Sequence, residues 1–171
     1  MRVLAALLAL GASALAISPV PRKSPEFTIV DPSGKQTLLS TLKGKVVLLE
    51  FVLANCPHCV RASATIDKVY RDLGPRGFEP VGIAFQPNLP PRMVTDLTRQ
   101  LGVSYPIRCS TPEAVDSYLG RSLMERLMVP QIVVIDRQGV VRAQSGISGD
   151  QLLESEVYLR NLIGSLLQEG R

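Results

Sequence analysis

The most reactive constellation in this sequence is a pair of cysteines with a proline and a histidine between them, Cys56-Pro57-His58-Cys59. The thiolate form of cysteine is the nucleophile, and a free cysteine with a pKa of about 8.5 is mostly protonated at neutral pH. Cysteines three residues apart on a helix lie about one turn apart, close enough for a reversible disulfide. The spacing therefore predicts a redox-active dithiol, although a static disulfide or a pair of metal ligands would use the same spacing.

The expected position of this motif at the start of a helix gives its residues different roles. There Cys56 would face unpaired backbone N–H groups and the positive end of the helix dipole, which both stabilise a thiolate. Pro57 suits the first helical position because the N–H that it lacks would have no partner there. We therefore predict that Cys56 attacks and that the more shielded Cys59 resolves the mixed disulfide. His58 is expected to lower the pKa of Cys56 further and to bias the pair toward oxidising character.

A carboxylate, Glu50, lies six residues before Cys56 within the otherwise apolar run 46–53. Burying an ionised and unpaired carboxylate is costly, so its pKa should rise or it should have a partner. We predict that Glu50 lies beneath Cys59 and accepts the proton of the resolving thiol, directly or through a water molecule. The alternative is a glutamate at the sheet edge that is paired with a lysine.

The elements that must hold these residues alternate between strands and helices. Strand signals occur at 27–31, 46–53, 80–85, 105–109, 131–135 and 140–144, and helical patterns at 57–73, 93–101, 112–118 and 159–167. The run 46–53 has no two-residue period, which is typical of a strand buried on both faces of a mostly parallel sheet. We expect an α/β sandwich with helices on both faces of a mixed sheet. Ser148 and Gln151 are expected to form a capping box at the last helix.

The length of 171 residues suits one domain, and the hydrophobic content of 46% supports a buried core. The chain starts with Met1-Arg2, continues with an apolar run and then has a small-x-small site at residues 14–16, which is typical of a secretory signal peptide. We predict a signal peptide or an N-terminal anchor over residues 1–16, a linker over 17–25 and a globular domain over 26–168. Either interpretation of the first segment places the domain in the periplasm or another extracytoplasmic space.

Charge and cysteine count exclude several other classes of protein. The net charge of +4 comes from scattered basic residues without interleaved aromatic residues, so no nucleic-acid partner is expected. Three cysteines and one histidine cannot form a Cys2His2 zinc site or a multi-bridge disulfide scaffold. We expect no metal and no cofactor besides the redox-active disulfide. Cys109 is expected to be a buried spectator, and the alternative is a third redox thiol.

Taken together, these residues make the chain resemble the thioredoxin superfamily, specifically the extracytoplasmic TlpA/ResA-like proteins and their AhpC/TSA peroxiredoxin-like relatives. The resemblance extends over about residues 24–167 and rests on PEFTIVDPSGK, LSTLKGKVVLLEF, CPHC and MVPQIVVIDRQG. It implies a thioredoxin-like fold with an N-terminal strand extension and a central inserted helix and strand. Glu50 matches the buried acid of thioredoxins in place.

The same resemblance implies a substrate-binding surface beside the dithiol. Pro130 matches the cis-proline of the family, with Val129 and Pro57 expected to contact an extended substrate segment. The alternative for Pro130 is a trans proline at the start of a strand. The tryptophans that the family usually places around the motif are absent, and Val52 and Asn55 occupy their positions. The docking surface is therefore expected to differ from that of general thioredoxins.

The activity implied is that of an extracytoplasmic thiol-disulfide oxidoreductase, which exchanges the Cys56–Cys59 disulfide with protein cysteines through a Cys56 mixed disulfide. Its partners would be protein thiols or disulfides and an upstream redox partner, with membrane contact only through an uncleaved N-terminal segment. The motif CPHC is that of periplasmic dithiol oxidases, whereas the flanking sequence is similar to that of reductases. The direction of electron flow therefore stays open.

Two other functions remain as alternatives. In a thiol-dependent peroxidase of the peroxiredoxin type, Cys56 would attack a peroxide and Cys59 would condense with the resulting sulfenic acid. Peroxiredoxins place threonine or serine three residues before the peroxidatic cysteine, where this chain has Leu53. In a copper-binding chaperone, the two thiolates would hold Cu(I). Related copper carriers use a wider cysteine pair and a distant histidine, which this chain lacks.

Overall fold

The computed structural model of the protein describes residues 19–121 and 126–169. The predicted signal peptide or anchor over residues 1–16 lies outside these residues. Within the two described ranges, no helix combines the length and the apolar character that a membrane span requires.

The described residues form eight strands and four α-helices, which alternate from β4 to β7. The elements are β1 (Arg22–Lys23), β2 (Thr28–Val30), β3 (Gln36–Leu38), β4 (Val46–Val52), α1 (Pro57–Leu73), β5 (Phe78–Ala84), α2 (Pro91–Leu101), β6 (Ile107–Cys109), α3 (Pro112–Leu119), β7 (Gln131–Ile135), β8 (Val140–Gln144) and α4 (Glu156–Gln168). Two 3₁₀ helices follow β3 and α1, at Leu39–Leu42 and Gly74–Arg76.

All eight strands belong to one mixed sheet in the order β1-β8-β7-β4-β5-β6-β2-β3. The central strand β4 runs parallel to β5 and antiparallel to β7, and β6 runs parallel to β5. All seven residues of β4 are buried, which explains why its sequence lacks a two-residue period. The carboxyl ends of β4, β5 and β6 meet at one edge of the sheet, and the redox motif directly follows β4.

Helices cover both faces of this sheet, as the sequence predicts. One apolar cluster joins Leu48 and Val52 of β4 to side chains of α1, α2 and α4. The other joins Leu49 and Phe51 to α3 and to the strand β2. Alternate residues of β4 thus lie in two different cores. The architecture confirms the predicted α/β sandwich with helices on both faces of a mixed sheet.

Two details of the fold differ from the sequence-based expectation. The predicted capping box of Ser148 and Gln151 is wrong, because α4 begins only at Glu156. The side chain of Asp150 instead accepts hydrogen bonds from the N–H groups of Leu152 and of the residue after it, which holds a separate turn before the helix. The segment assigned as a linker also contains β1, which pairs antiparallel with β8.

Candidate active site

Cys56 and Cys59 form a disulfide at the N-terminus of α1, with their Cα atoms 5.2 Å apart. Cys56 is the residue that precedes the first helical turn, and Pro57 is the first residue of the helix, as predicted. The backbone N–H of Cys59 donates a hydrogen bond to the sulfur of Cys56 over 3.1 Å. The sulfur thus accepts one of the N–H groups that a helix leaves unpaired at its start.

The short connection between β4 and the motif is held by the neighbouring strand segment. Gln86, just after β5, accepts the backbone N–H of Ala54 with its side-chain oxygen over 2.8 Å. Asn55 adopts a left-handed backbone conformation with φ of 57°. This conformation is tolerated by asparagine better than by most residues, and it turns the chain from the strand into α1.

The two sulfurs differ in their exposure to solvent. Cys59 is 0% exposed and packs in the core beneath α1, whereas Cys56 is half-buried at its edge. The Cys56 sulfur lies 3.9 Å from the carbonyl oxygen of Val129. The peptide bond between Val129 and Pro130 is cis, as the resemblance implies. The structure therefore brings the predicted nucleophile next to the predicted substrate-binding segment.

His58 lies on the exposed side of the helix start, beside Arg61. The guanidinium of Arg61 donates to Nδ1 of the ring over 2.9 Å, which leaves Nε2 as the N–H donor in the neutral ring. Among the described residues, the hydrogen-bond partner of His58 is this arginine and not either cysteine.

Glu50 is fully buried on the face of β4 that lies under α1. Its carboxylate accepts hydrogen bonds from the Ser63 hydroxyl, at 2.8 and 3.0 Å, and from the Tyr105 hydroxyl at 2.6 Å. The alternative of an edge glutamate paired with a lysine is therefore wrong. Ser63 follows Cys59 by four residues on α1 and so lies on the same helix face, one turn further along, where it contacts Glu50.

The surroundings of Glu50 move its titration into the neutral range. Burial raises the pKa of this carboxyl from 4.5 to about 7, and the negative charge of Glu154 acts in the same direction. The hydrogen bonds from Tyr105 and Ser63 oppose this rise because they stabilise the ionised form. A carboxyl that titrates near 7 exchanges protons readily at neutral pH.

Cys109 is a free, half-buried cysteine on β6. Its thiol donates to the carbonyl oxygen of Val30 over 3.3 Å. Burial and the nearby charge of Asp31 raise the pKa of this thiol, while Arg108 partly opposes the rise. Cys109 is therefore protonated at neutral pH and is a poor nucleophile.

Sequence reasoning missed three residues that surround the motif: Gln86, Ser63 and Tyr105. Ser63 has a detectable signal, since it lies on the helix face of Cys59 while the strand below carries a carboxylate. Nothing in the local pattern marks Tyr105, which lies 55 residues after Glu50 in the chain. Gln86 contacts Ala54 because β5 pairs with β4. The sequence alone does not show in which register these two strands pair.

A family model described as Redoxin matches residues 19–149 of the chain. The thiol-disulfide oxidoreductase ResA of Halalkalibacterium halodurans is 29% identical over 135 residues, which cover 78% of this chain and 72% of the relative. The protein of the same name from Bacillus thuringiensis is 26% identical over 144 residues, which cover 84% and 78%. The Redoxin match includes the whole stretch from Glu50 to Pro130.

Solved structures with the same architecture include a thiol:disulfide interchange protein of the thioredoxin family from Chlorobium tepidum TLS. It is 26% identical, with a TM-score of 0.68, over 88% of this chain and 99% of that one. A candidate protein disulfide isomerase from Bacteroides thetaiotaomicron is 27% identical, with a TM-score of 0.73, over 90% and 93% of the two chains. These similarities confirm the thioredoxin-like fold.

Proposed function

The chain belongs to the Redoxin family as a TlpA/ResA-like thiol-disulfide oxidoreductase, and we propose that it exchanges its Cys56–Cys59 disulfide with protein cysteines outside the cytoplasm. One observation carries this proposal. A half-buried sulfur at a helix start is bonded to a fully buried sulfur one turn along the same helix. In such a pair, one sulfur is accessible to a substrate and the other is shielded until it resolves the mixed disulfide.

In the reductive direction, the Cys56 thiolate attacks a disulfide sulfur of the substrate. The substrate S–S bond breaks, one substrate thiolate leaves, and a mixed disulfide joins Cys56 to the other substrate sulfur. Cys59 then loses its proton to Glu50 and attacks the sulfur of Cys56. The second substrate thiolate leaves, and two electrons have passed from the pair to the substrate. The oxidative direction is the reverse of these steps, and no cofactor takes part.

Three features stabilise negative charge on Cys56 rather than on Cys59. The Cys59 N–H already points at the Cys56 sulfur, and the dipole of the 17-residue helix α1 favours an anion at its start. Cys59 lies in an apolar environment, which disfavours its thiolate. Cys59 therefore reacts only when a base accepts its proton, and the proposed base is Glu50, which bonds Ser63 on the next turn of the same helix face.

The backbone of Val129 is the proposed contact for the substrate. Its carbonyl oxygen lies 3.9 Å from the Cys56 sulfur, so an extended segment that reaches this sulfur must pass along Val129. Met128, which precedes Val129, and Pro57, which follows Cys56, are both exposed. Backbone contacts of this kind bind segments of varied sequence.

The location outside the cytoplasm is supported by the N-terminal sequence. Residues 1–16 combine a positive start, an apolar run and small residues, as secretory signals do. A fusion of residues 1–25 to a reporter enzyme that folds only after export tests this part of the proposal. An active reporter supports it, and a reporter that stays inactive and cytoplasmic contradicts it.

Reduction of insulin disulfides, followed with a chemical dithiol as electron source, tests the activity itself. We expect the wild type to accelerate the reaction and Cys56→Ser to abolish the acceleration. Consumption of hydrogen peroxide under the same conditions should be slow, because Leu53 stands where peroxidases have a hydroxyl-bearing residue. Rapid peroxide consumption with little insulin reduction would favour the peroxidase instead.

A further inference from the structure

Three buried polar side chains form a closed cluster beneath the redox motif. The hydroxyls of Ser63 and Tyr105 both reach the carboxylate of Glu50, at distances between 2.6 and 3.0 Å. The exposed fractions of Glu50, Ser63 and Tyr105 are 0, 0 and 2%. The carboxylate oxygens therefore have protein hydroxyls where an exposed carboxylate would have water.

The Tyr105 hydroxyl is held in place by a second set of contacts. Its neighbour Ser104 donates its backbone N–H and its hydroxyl to Asp67 on α1, at 2.7 and 2.6 Å. Arg71 pairs with the same carboxylate over 2.6 Å. The Tyr105 ring packs edge-on against Tyr70, with centroids 6.3 Å apart. These contacts fix the segment after α2 against α1, which fixes the hydroxyl over Glu50.

The two hydroxyls discriminate between the charge states of Glu50. An ionised carboxylate accepts both hydroxyl protons, and hydrogen bonds to a charged acceptor are the strong ones. A protonated carboxyl must itself donate one proton, so one hydroxyl has to turn and accept instead. The cluster therefore favours the ionised form in a site where burial alone would favour the neutral form.

No other group around Glu50 among the described residues supplies a compensating positive charge to it. Its neighbours across the sheet, Gly82 and Ile132, are uncharged. Glu154, before α4, adds a repulsive negative charge. Asp67 is the other acid beside the cluster, and its charge acts on the tyrosine hydroxyl. The hydroxyls of Ser63 and Tyr105 thus stabilise the ionised form of Glu50.

We propose that Tyr105 and Ser63 are positioning residues that hold the Glu50 carboxyl under Cys59 and stabilise its ionised form, and thereby set the pH at which Cys59 becomes reactive. This inference rests on the proposed role of Glu50 as proton acceptor. Under this proposal, the segment that carries Tyr105 after helix α2 influences the reaction of Cys59. Removal of either hydroxyl should raise the pH midpoint of that step by about one unit.

The resolving step can be measured by itself with an aromatic disulfide that releases a coloured thiolate. In a Cys109→Ala background, the first release reports attack by Cys56 and the second reports attack by Cys59 on the resulting mixed disulfide. The rate of the second release is followed from pH 5 to pH 9 by stopped-flow absorbance. The Glu50 carboxyl is titrated in parallel by carbon NMR in the oxidised protein.

Tyr105→Phe and Ser63→Ala should each move the midpoint of the second release, and the NMR midpoint of Glu50, to higher pH. Two tyrosines serve as matched controls. Tyr118→Phe removes a buried hydroxyl that bonds Ser24 over 2.9 Å and whose ring packs in the other core of the sheet. Tyr70→Phe removes a hydroxyl but keeps the ring that packs on Tyr105, and the described hydrogen bonds of Glu50 come from Ser63 and Tyr105. Neither control should move either midpoint.

A double variant separates the inference from the proposed function. If Tyr105 acts through Glu50, Tyr105→Phe changes nothing further in a Glu50→Gln background. A loss of pH dependence in Glu50→Gln together with unshifted midpoints in Tyr105→Phe and Ser63→Ala would overturn this inference alone. An unchanged pH profile in Glu50→Gln would instead remove the proposed role of Glu50. Should Tyr105→Phe fail to fold, the Ser63→Ala midpoints decide.

Discussion

The backbone N–H of Cys59 donates a hydrogen bond to the sulfur of Cys56 over 3.1 Å, so the proposed resolving residue directly contacts the sulfur of the proposed nucleophile. The same helical turn places the Cys59 side chain in the core. We expect this arrangement to make Cys56 the more acidic and accessible thiol and to make Cys59 dependent on a proton acceptor. We expect this asymmetry to give the exchange reaction an order of attack, with Cys56 first and Cys59 second.

The order of attack predicts which single variant traps a substrate. Cys59→Ser should accumulate a stable mixed disulfide between Cys56 and a disulfide-bonded reporter peptide, because no second thiol can displace it. Cys56→Ser should accumulate none at neutral pH, because Cys59 is buried. Intact-mass spectrometry after brief incubation measures both. Equal trapping by the two variants would show that the sulfurs are equivalent.

The raised pKa of Glu50 predicts a pH dependence of stability. The carboxyl titrates at about 7 in the folded protein and at 4.5 as its ordinary value. Between these values the folded state binds more protons than the unfolded state, so the free energy of unfolding falls as pH rises. From pH 5 to pH 8 the free energy of unfolding of the oxidised wild type should fall by about 2 to 3 kcal/mol. Glu50→Gln should not show this fall.

Denaturant titrations of the oxidised protein at the two pH values measure this difference. Glu113→Gln makes the same chemical change at an exposed position and should leave the wild-type pH dependence unchanged. A wild type and a Glu50→Gln variant with the same pH dependence would contradict the buried, neutral-range titration of Glu50.

The environment of Cys109 predicts that it stays outside the redox cycle. Its thiol is half-buried, and burial raises its pKa. Peptide mapping of the oxidised protein should show a Cys56–Cys59 bridge and a free Cys109, and Cys109→Ala should reduce insulin as fast as the wild type. Recovery of a peptide bridged through Cys109 would make it a third redox thiol.

His58 is predicted to make the dithiol more oxidising. An N–H donor or a cation beside the helix start stabilises the Cys56 thiolate and with it the reduced form. His58→Ala should therefore lower the reduction potential, by about 30 mV for each unit by which the pKa of Cys56 rises. Lys68→Ala removes an exposed side chain about three turns along α1 and serves as the control. A potential that is unchanged or higher in His58→Ala contradicts this role.

The sequence predicts most of the fold because its signals are local. The uninterrupted apolar run at β4, the proline after Cys56 and the Gly74-Pro75 pair each specify an element or its end from neighbouring residues. The helix α1 accordingly begins and ends where predicted. The capping pattern of Ser148 and Gln151 predicts too early a start for α4, because Asp150 holds a separate turn there.

The polar surroundings of Glu50 could not be predicted in the same way. They depend on contacts between residues distant in the chain, and Tyr105 reaches Glu50 from a segment 55 residues later. Sequence alone identified the buried carboxylate and its place before the motif. It could not decide between a lysine partner and hydroxyl partners, because both satisfy a buried carboxylate.

The difference in acidity between the two cysteines is the central claim, and alkylation of the reduced protein as a function of pH tests it most directly. Rates are measured with a haloacetamide, and each site is identified by peptide mass. One thiol, Cys56, should react fast with a midpoint well below the ordinary value of about 8.5, while Cys59 reacts far more slowly. Two thiols that react equally slowly with ordinary midpoints would contradict the account.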